Sequence, residues 1–144
     1  MAPVGISLNN PRSQTSEDPQ QHVILLADDE AMLRNAATKI LDRVGHVVLT
    51  AHDGEEALAI SRTFPGNIHA LVSDVVMPNM DGFALRKRIL AERPGIRVLL
   101  ISAHFDDDSL RGIPFLQKAF RAAQLLEKVR DLLSAPEWSL EKGA

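Results

Sequence analysis

The hydrophobic positions of this chain form short continuous runs that alternate with longer stretches of helical spacing. The first run is Val23–Ala27, which ends abruptly at the acidic residues Asp28-Asp29-Glu30. In residues 33–44 the apolar side chains then recur three and four positions apart, and Gly45 is a suitable stop. A continuous apolar run is typical of a strand buried on both faces, so the pattern predicts one strand followed by one helix.

The same alternation continues to residue 134. Further strands are predicted at 46–51, 68–72, 96–101 and 113–117. Further helices are predicted after Asp53, where Glu56 three positions later suggests a capping arrangement, and over the periodic stretches 83–90 and 122–133. Residues 105–112 leave room for a helical turn or two, so the helix between the fourth and fifth strands is predicted to be truncated or missing.

Strands that alternate with helices predict an α/β fold. Each crossover between parallel strands must cover one face of the sheet, so the expected architecture is a three-layer sandwich around a five-stranded parallel sheet. We expect one domain at residues 22–134, between a flexible N-terminal tail (1–21) and a short C-terminal tail (135–144).

Composition narrows the class of function. The net charge of −3 gives no general attraction to nucleic acid or to acidic membranes. Cysteine is absent, which excludes disulfides and thiolate zinc sites. No secretory signal or membrane-spanning run is recognisable, so a cytoplasmic protein is expected. The five histidines show no metal-ligand spacing, and all but His104 are expected to be exposed or to have satisfied partners.

Asp74 is the main candidate for chemistry. It follows the third apolar run, and Pro78, Asn79, Asp81 and Gly82 then mark a loop. A carboxylate at the carboxyl end of a buried strand can act as a nucleophile or a metal ligand. The alternative is that Asp74 only begins a turn.

Other polar residues end neighbouring strands. If strands 1 and 3 are adjacent, Asp28, Asp29 and Asp74 share one crevice with Ser102 and Lys118. Three close carboxylates are tolerated with a hard cation, and magnesium fits this oxygen-rich set better than zinc. Asp74 would attack a phosphorus centre to form an acyl phosphate, while the metal, Lys118 and Ser102 stabilise the transferred oxygens.

This constellation resembles the receiver domain of two-component response regulators over about residues 22–134. The residues that carry the resemblance are Asp28-Asp29 after the first strand, Asp74 within Ser-Asp-Val-Val-Met-Pro-Asn-Met-Asp-Gly, Ser102 in Ile-Ser-Ala, and Lys118 before Phe120. The resemblance implies the flavodoxin-like strand order 2-1-3-4-5, of which receivers are a standard example.

The resemblance also implies roles. A sensor histidine kinase or a histidine phosphotransfer protein would donate a phosphoryl group to Asp74, and the domain would promote its own phosphorylation and dephosphorylation without being a classical enzyme. Magnesium (Mg2+) would be bound by Asp29, Asp74 and the backbone carbonyl of Val76, with Asp28 acting mainly through water. As a single-domain regulator it would signal to an unknown protein target, and the face made of the family's fourth helix, fifth strand and fifth helix would bind that target or form a homodimer.

Three further positions are informative. Phe115 matches the family's switch aromatic, although simple core packing explains it equally well. His104 is a candidate modulator of water attack on the phosphoryl group, with ordinary loop exposure as the alternative. The family usually has proline in a cis bond after the lysine, whereas this chain has Ala119, so the loop either tolerates a strained cis bond or turns trans and moves Lys118.

Two other functions remain open. A phosphorylation-independent interaction module is favoured by Ala119 and the short fourth crossover, and opposed by the intact acids and Ser102. A hydrolase with an aspartyl nucleophile is disfavoured because Val76 occupies the place of a second acid, two residues after Asp74.

Overall fold

The structure is a computed structural model that describes residues 21–103, 110 and 112–134. Nearly all of the predicted N-terminal tail and the whole C-terminal tail lie outside the described residues. So do His104 and most of the crossover between the fourth and fifth strands, and the expectations for them stay predictions.

Within the described residues, five strands and four helices follow one another in the order that the sequence predicts. The strands are β1 Val23–Ala27, β2 Val47–Ala51, β3 Ala70–Asp74, β4 Arg97–Ser102 and β5 Phe115–Gln117. The helices are α1 Ala31–Arg43, α2 Gly54–Thr63, α3 Gly82–Glu92 and α4 Ala122–Ser134. These four helices lie in the described part of the chain, whereas most of the crossover from β4 to β5 lies outside it, so the truncated or missing helix there stays a prediction.

All strand pairs are parallel, and the order across the sheet is β2-β1-β3-β4-β5. The predicted α/β fold and strand order are therefore confirmed. Because β1 lies between β2 and β3, the residues that follow β1 and those that end β3 meet at one edge of the sheet. We call this the carboxyl edge of the sheet.

Alternating side chains of the strands divide the core into two layers. Along β1, Leu25 packs towards Leu58 of α2 and Leu85 of α3, whereas Ile24 packs towards Leu41 of α1. The second layer also receives the apolar stripe of α4, formed by Leu125, Val129 and Leu132. The sheet is thus covered on both faces, which explains why its strands are continuous apolar runs.

Local signals in the sequence fix several helix ends. Asp53 is the N-cap of α2, and its side chain accepts a hydrogen bond of 2.8 Å from the backbone N–H of Glu56, as predicted. Asp81 caps α3 in the same way through the N–H of Ala84. No helix within the described ranges is long and apolar enough to cross a membrane.

Three histidines gather at the opposite edge of the sheet, where the strands begin. His22, His46 and His69 directly precede β1, β2 and β3, and their rings lie 5.7 Å (His22 to His46) and 4.9 Å (His22 to His69) apart. Nδ1 of His46 accepts from the backbone N–H of His22 at 3.2 Å, and Nδ1 of His69 accepts from that of Val23 at 3.0 Å. The Nδ1 atoms of His46 and His69 therefore accept the backbone N–H groups at the start of β1.

This arrangement makes stability depend on pH. Burial, and then the charge of His69, lower the pKa of His46 below its ordinary value. The other charged group beside His46 is Arg130 of α4, which lines the same cavity, and no acid lines that cavity among the described residues. Since the folded-state pKa is below the unfolded one, the stabilisation is fully present above about pH 6.5 and is lost as the pH falls through the folded-state pKa.

Replacing His46 by asparagine is expected to flatten this pH dependence. Asn Oδ1 stands where Nδ1 stood and accepts the same hydrogen bond, but it does not titrate. Between about pH 8 and about pH 5.5 the wild type should lose about 1 kcal/mol more unfolding free energy than His46→Asn, the net worth of one hydrogen bond. Urea denaturation of both proteins at both pH values measures this difference in unfolding free energy. His46→Ala lacks the acceptor and should already be less stable than the wild type at the higher pH. If the unfolding free energy of wild type and His46→Asn changed equally with pH, the role assigned to His46 would be contradicted.

Candidate functional site

Asp74 lies at the centre of the carboxyl edge, as the last residue of β3. It is 5% exposed, and its Cα pairs with Ile101 of β4. Its Oδ2 accepts a hydrogen bond of 2.7 Å from Lys118 Nζ. Its Oδ1 accepts a longer one, 3.3 Å, from the backbone N–H of Val76. The two oxygens are therefore inequivalent: Oδ2 is held by an ammonium, and Oδ1 is the more weakly engaged.

The loop after Asp74 is shaped by two residues with special backbone requirements. Asn79 has φ 72°, a left-handed conformation that asparagine tolerates better than most residues. Gly82 comes so close to the strand end that a Cβ atom there would overlap the carbonyl oxygen of Asp74 and lie 2.9 Å from Cα of Val75. Its N–H donates to the carbonyl of Val75 at 2.8 Å. This contact folds the loop back and holds the backbone of Asp74 in place.

Asp28 is the second buried acid of the site. It follows β1 and is 7% exposed, and its Oδ1 accepts from the backbone N–H of Glu30 at 2.9 Å. Arg34 of α1 donates from Nη1 to the carbonyl of Asp28 at 2.8 Å, a contact that the sequence analysis missed. Burial raises the pKa of Asp28; the Glu30 N–H and the charge of Lys118 oppose this effect, whereas the charges of Asp74 and Glu30 add to it.

Three carboxylates gather closely enough to share a cation. Asp28, Glu30 and Asp74 each offer an oxygen, and these oxygens lie within 4.8 Å of one another. All donors in the group are oxygens, which suits a hard ion such as Mg2+. Asp29, predicted as a direct ligand, is exposed and is not a member of this group. Glu30, which was not predicted, is a member, and its place in the three-residue acidic run after β1 was the signal that could have found it.

Lys118 connects the acids of the site. Its side chain is 14% exposed, and Nζ lies 2.7 Å from Asp74 Oδ2, 3.0 Å from Glu30 Oε1 and 3.8 Å from Asp28 Oδ2. Burial alone would lower the pKa of Lys118, but the hydrogen bonds to Asp74 and Glu30, with the charges of Asp28 and Asp74, outweigh it and raise that pKa. These contacts therefore favour the charged form of Lys118.

The peptide bond between Lys118 and Ala119 is trans, because no bond between described residues is cis. Of the two outcomes considered for this loop, the trans one occurs, yet the lysine still reaches Asp74. The stem of lysine has enough rotatable bonds to place Nζ without a cis bond. Ala119, one of the two features that favour the interaction-module alternative, therefore does not displace the lysine from Asp74.

The remaining predicted residues are placed as follows. Ser102 is buried as the last residue of β4, and its carbonyl accepts from the backbone N–H of Lys118 at 2.8 Å. Val76, whose carbonyl was predicted as a ligand, has a side chain that is 66% exposed beside the site. Phe115 begins β5 and packs, half-buried, against the core layer of α2 and α3.

Comparison with known proteins agrees with this geometry. Residues 24–130 match the family described as the response regulator receiver domain. The sensor kinase CckA of Brucella abortus is 34% identical over 116 residues, which are 76% of this chain and 12% of that kinase. The chain thus spans a small part of that relative's length.

Solved structures point the same way. The receiver domain of the hybrid histidine kinase CckA is 36% identical, with a TM-score of 0.64, over 78% of this chain and 99% of that one. A chain of the CheX–CheY–BeF3–Mg2+ complex from Borrelia burgdorferi is 28% identical, with a TM-score of 0.72, over 79% of this chain and 90% of that one. Because the family match covers most of the sequence, and the fold and the acidic edge agree with it, this chain belongs to the response regulator receiver domain family of two-component systems.

Proposed function

We propose that this receiver domain accepts a phosphoryl group on Asp74 in a magnesium-dependent reaction and signals through protein contacts. The donor is the phosphohistidine of a sensor histidine kinase or of a histidine phosphotransfer protein, and the reaction takes place in the cytoplasm. The observation that carries the proposal is the buried Asp74 carboxylate, which an ammonium holds at one oxygen and which lies among further acids at the edge of a parallel sheet.

In the proposed transfer, Oδ1 of Asp74 is the nucleophile, because Oδ2 is already engaged by Lys118 at 2.7 Å. A bond forms between Oδ1 and phosphorus, and the bond from phosphorus to the donor's imidazole nitrogen breaks. The electron pair of that broken bond stays on the imidazole. The product is an acyl phosphate, whose oxygens are stabilised by the ammonium of Lys118 and by the hydroxyl of Ser102.

The residues present fit a magnesium ion, since they offer carboxylate and carbonyl oxygens and no nitrogen or sulfur ligand in the acidic group. We propose Asp29, Asp74 and the carbonyl of Val76 as its ligands, with Asp28 acting through water. The bound ion would supply positive charge to the oxygens of the transferred group. The four carboxylates of Asp28, Asp29, Glu30 and Asp74 outnumber the cations of Lys118 and Arg34 beside them, and this local negative charge would attract such an ion.

Magnesium dependence is tested with phosphoramidate, a small donor whose phosphorus–nitrogen bond resembles that of phosphohistidine. Phosphorylation should require Mg2+, and Asp29→Asn should weaken Mg2+ binding by about tenfold, the usual cost of perturbing a metal site. Calorimetric titration measures the affinity and phosphate incorporation measures the rate. Asp81→Asn is the matched control, because that acid caps α3 outside the acidic group and asparagine caps equally well. Unchanged Mg2+ affinity in Asp29→Asn would contradict the proposed ligands.

A protein donor needs a contact surface beside Asp74. Met32 and Leu33 in the first turn of α1 are 85% and 38% exposed, and Val76 is 66% exposed. Exposed apolar side chains around a reactive group are typical of a protein-binding surface.

Met32→Asp is therefore expected to slow transfer from a phosphohistidine protein that phosphorylates the wild type, by about tenfold for loss of one apolar contact. Phosphoramidate, which is too small to contact α1, should phosphorylate Met32→Asp and wild type equally fast. Initial phosphorylation rates are measured with both donors. An equal loss of rate with the protein donor and with phosphoramidate would show that Met32 affects the site and not the docking of the donor.

A further inference from the structure

Glu30 occupies an unusual place at the start of α1. It is the N-cap residue of that helix, yet its side chain makes no capping hydrogen bond. Its carboxylate instead accepts a hydrogen bond of 3.0 Å from Lys118 Nζ, across 88 residues of sequence. Its backbone is fixed by the first helical bond, in which its carbonyl accepts from the N–H of Arg34 at 2.9 Å. Glu30 is thus an acid on a rigid element, aimed at the site lysine.

The contact matters because the other strong partner of Lys118 changes during the reaction. Before transfer, Lys118 is shared between Asp74 at 2.7 Å and Glu30 at 3.0 Å. When Oδ1 of Asp74 bonds to phosphorus, the carboxylate becomes an acyl phosphate and its own negative charge is lost. The ammonium must then exchange Oδ2 of Asp74 for oxygens of the phosphoryl group, and a lysine side chain that changes partners has rotamer freedom to lose its position. The carboxylate of Glu30 is unchanged by the transfer.

We infer that Glu30 is a positioning residue, which holds the ammonium of Lys118 over Asp74 while the phosphoryl group is transferred and retained. This inference rests on the proposed function, because it assigns Glu30 a part in the same reaction. Glu30 acts through Lys118 and does not itself contact the phosphoryl group. Its side chain is 59% exposed, whereas that of Lys118 is 14% exposed, so the acid can hold the lysine from the solvent side.

The competing role for Glu30 is that of a magnesium ligand, since it belongs to the group with Asp28 and Asp74. The two roles predict different measurements. A ligand contributes to Mg2+ affinity whether or not Lys118 is present. A positioning residue contributes to the transfer rate only when Lys118 is present, and its removal leaves Mg2+ affinity nearly unchanged.

A double-mutant cycle tests the inference with Glu30→Gln, Lys118→Met and the double variant, using phosphoramidate at saturating Mg2+. Glu30→Gln should slow phosphorylation about fivefold, which corresponds to a partly exposed ion pair, and should have no further effect in the Lys118→Met background. The Mg2+ dissociation constant of Glu30→Gln should stay within about twofold of wild type. Glu55→Gln is the matched control, because it removes an exposed acid of α2 that makes no contact with Lys118.

A second readout does not depend on phosphorylation. The 15N chemical shift of Lys118 Nζ should change in Glu30→Gln and not in Glu55→Gln. If the wild type takes up no phosphoryl group, the proposed function fails, while the chemical shift still decides whether Glu30 holds the lysine. An equal slowing by Glu30→Gln with and without Lys118, a matching loss of Mg2+ affinity, or an unchanged chemical shift would overturn the inference.

Discussion

Replacing Lys118 by methionine is expected to slow phosphorylation of Asp74 by about a hundredfold to a thousandfold, the usual cost of removing one charge-stabilising donor from a transition state. Methionine keeps an unbranched side chain of similar length, so the fold should persist. The ammonium lies 2.7 Å from Oδ2 of Asp74 and is the basic group that the structure places against that carboxylate. Rates of phosphate incorporation from phosphoramidate measure the effect.

Although Lys118→Met should slow phosphorylation, it should raise the affinity for Mg2+. Lys118 holds Oδ2 of Asp74, a proposed ligand, and brings positive charge close to Asp28 and Glu30, so in the free protein it opposes the binding of a cation. Without the ammonium, the site should bind Mg2+ more tightly while the chemical step is slower. Lys128→Met, on the exposed side of α4, is the control and should alter neither quantity. A wild-type rate in Lys118→Met would exclude the lysine from the reaction.

Gly82→Ala is expected to damage both the fold and the site. Its Cβ would overlap the carbonyl oxygen of Asp74 and press on the backbone at Val75, atoms that cannot move without shifting the end of β3. Overpacking of this kind costs about 1 to 3 kcal/mol of unfolding free energy. Since the displaced atoms belong to Asp74 itself, phosphorylation should slow more than the loss of stability explains.

The comparison for Gly82→Ala is Gly66→Ala. A Cβ at Gly66 would meet only the ring of Phe64, at 3.3 Å, in an exposed loop. Gly66→Ala should therefore keep the wild-type phosphorylation rate and nearly the wild-type stability. Urea denaturation and phosphoramidate kinetics on both variants separate the effects, and a fully active Gly82→Ala would contradict the role assigned to the close contact.

Much of the fold follows from the sequence because its local signals agree with one another. The run Val23–Ala27 is strand β1 to the residue, and Asp53 caps α2 through the N–H of Glu56. Strand and helix ends elsewhere differ from the prediction by a few residues, since fraying and side-chain capping decide them. Asp74, for example, is the last residue of β3, whereas the apolar run ends at Val72.

What could not be predicted are contacts between residues that lie far apart in sequence. The hydrogen bond between Glu30 and Lys118 depends on the rotamers of two flexible side chains, and the hydrophobic pattern of the sequence carries no information about them. The cluster of His22, His46 and His69 had a readable signal, because each histidine directly precedes a strand and parallel strands begin at one edge. Spacing along the sequence hid that cluster, whereas the topology brings the three rings together.

Intact-mass spectrometry after incubation with acetyl phosphate tests the central claim most directly, on wild type, Asp74→Asn and the control Asp81→Asn, each with and without Mg2+. The structure predicts a single phosphoryl increment on wild type and Asp81→Asn that requires Mg2+ and that hydroxylamine, which cleaves acyl phosphates, removes. Asp74→Asn should gain none. An increment on Asp74→Asn, or none on the wild type despite bound Mg2+, would contradict the assignment of Asp74 as the phosphoryl acceptor.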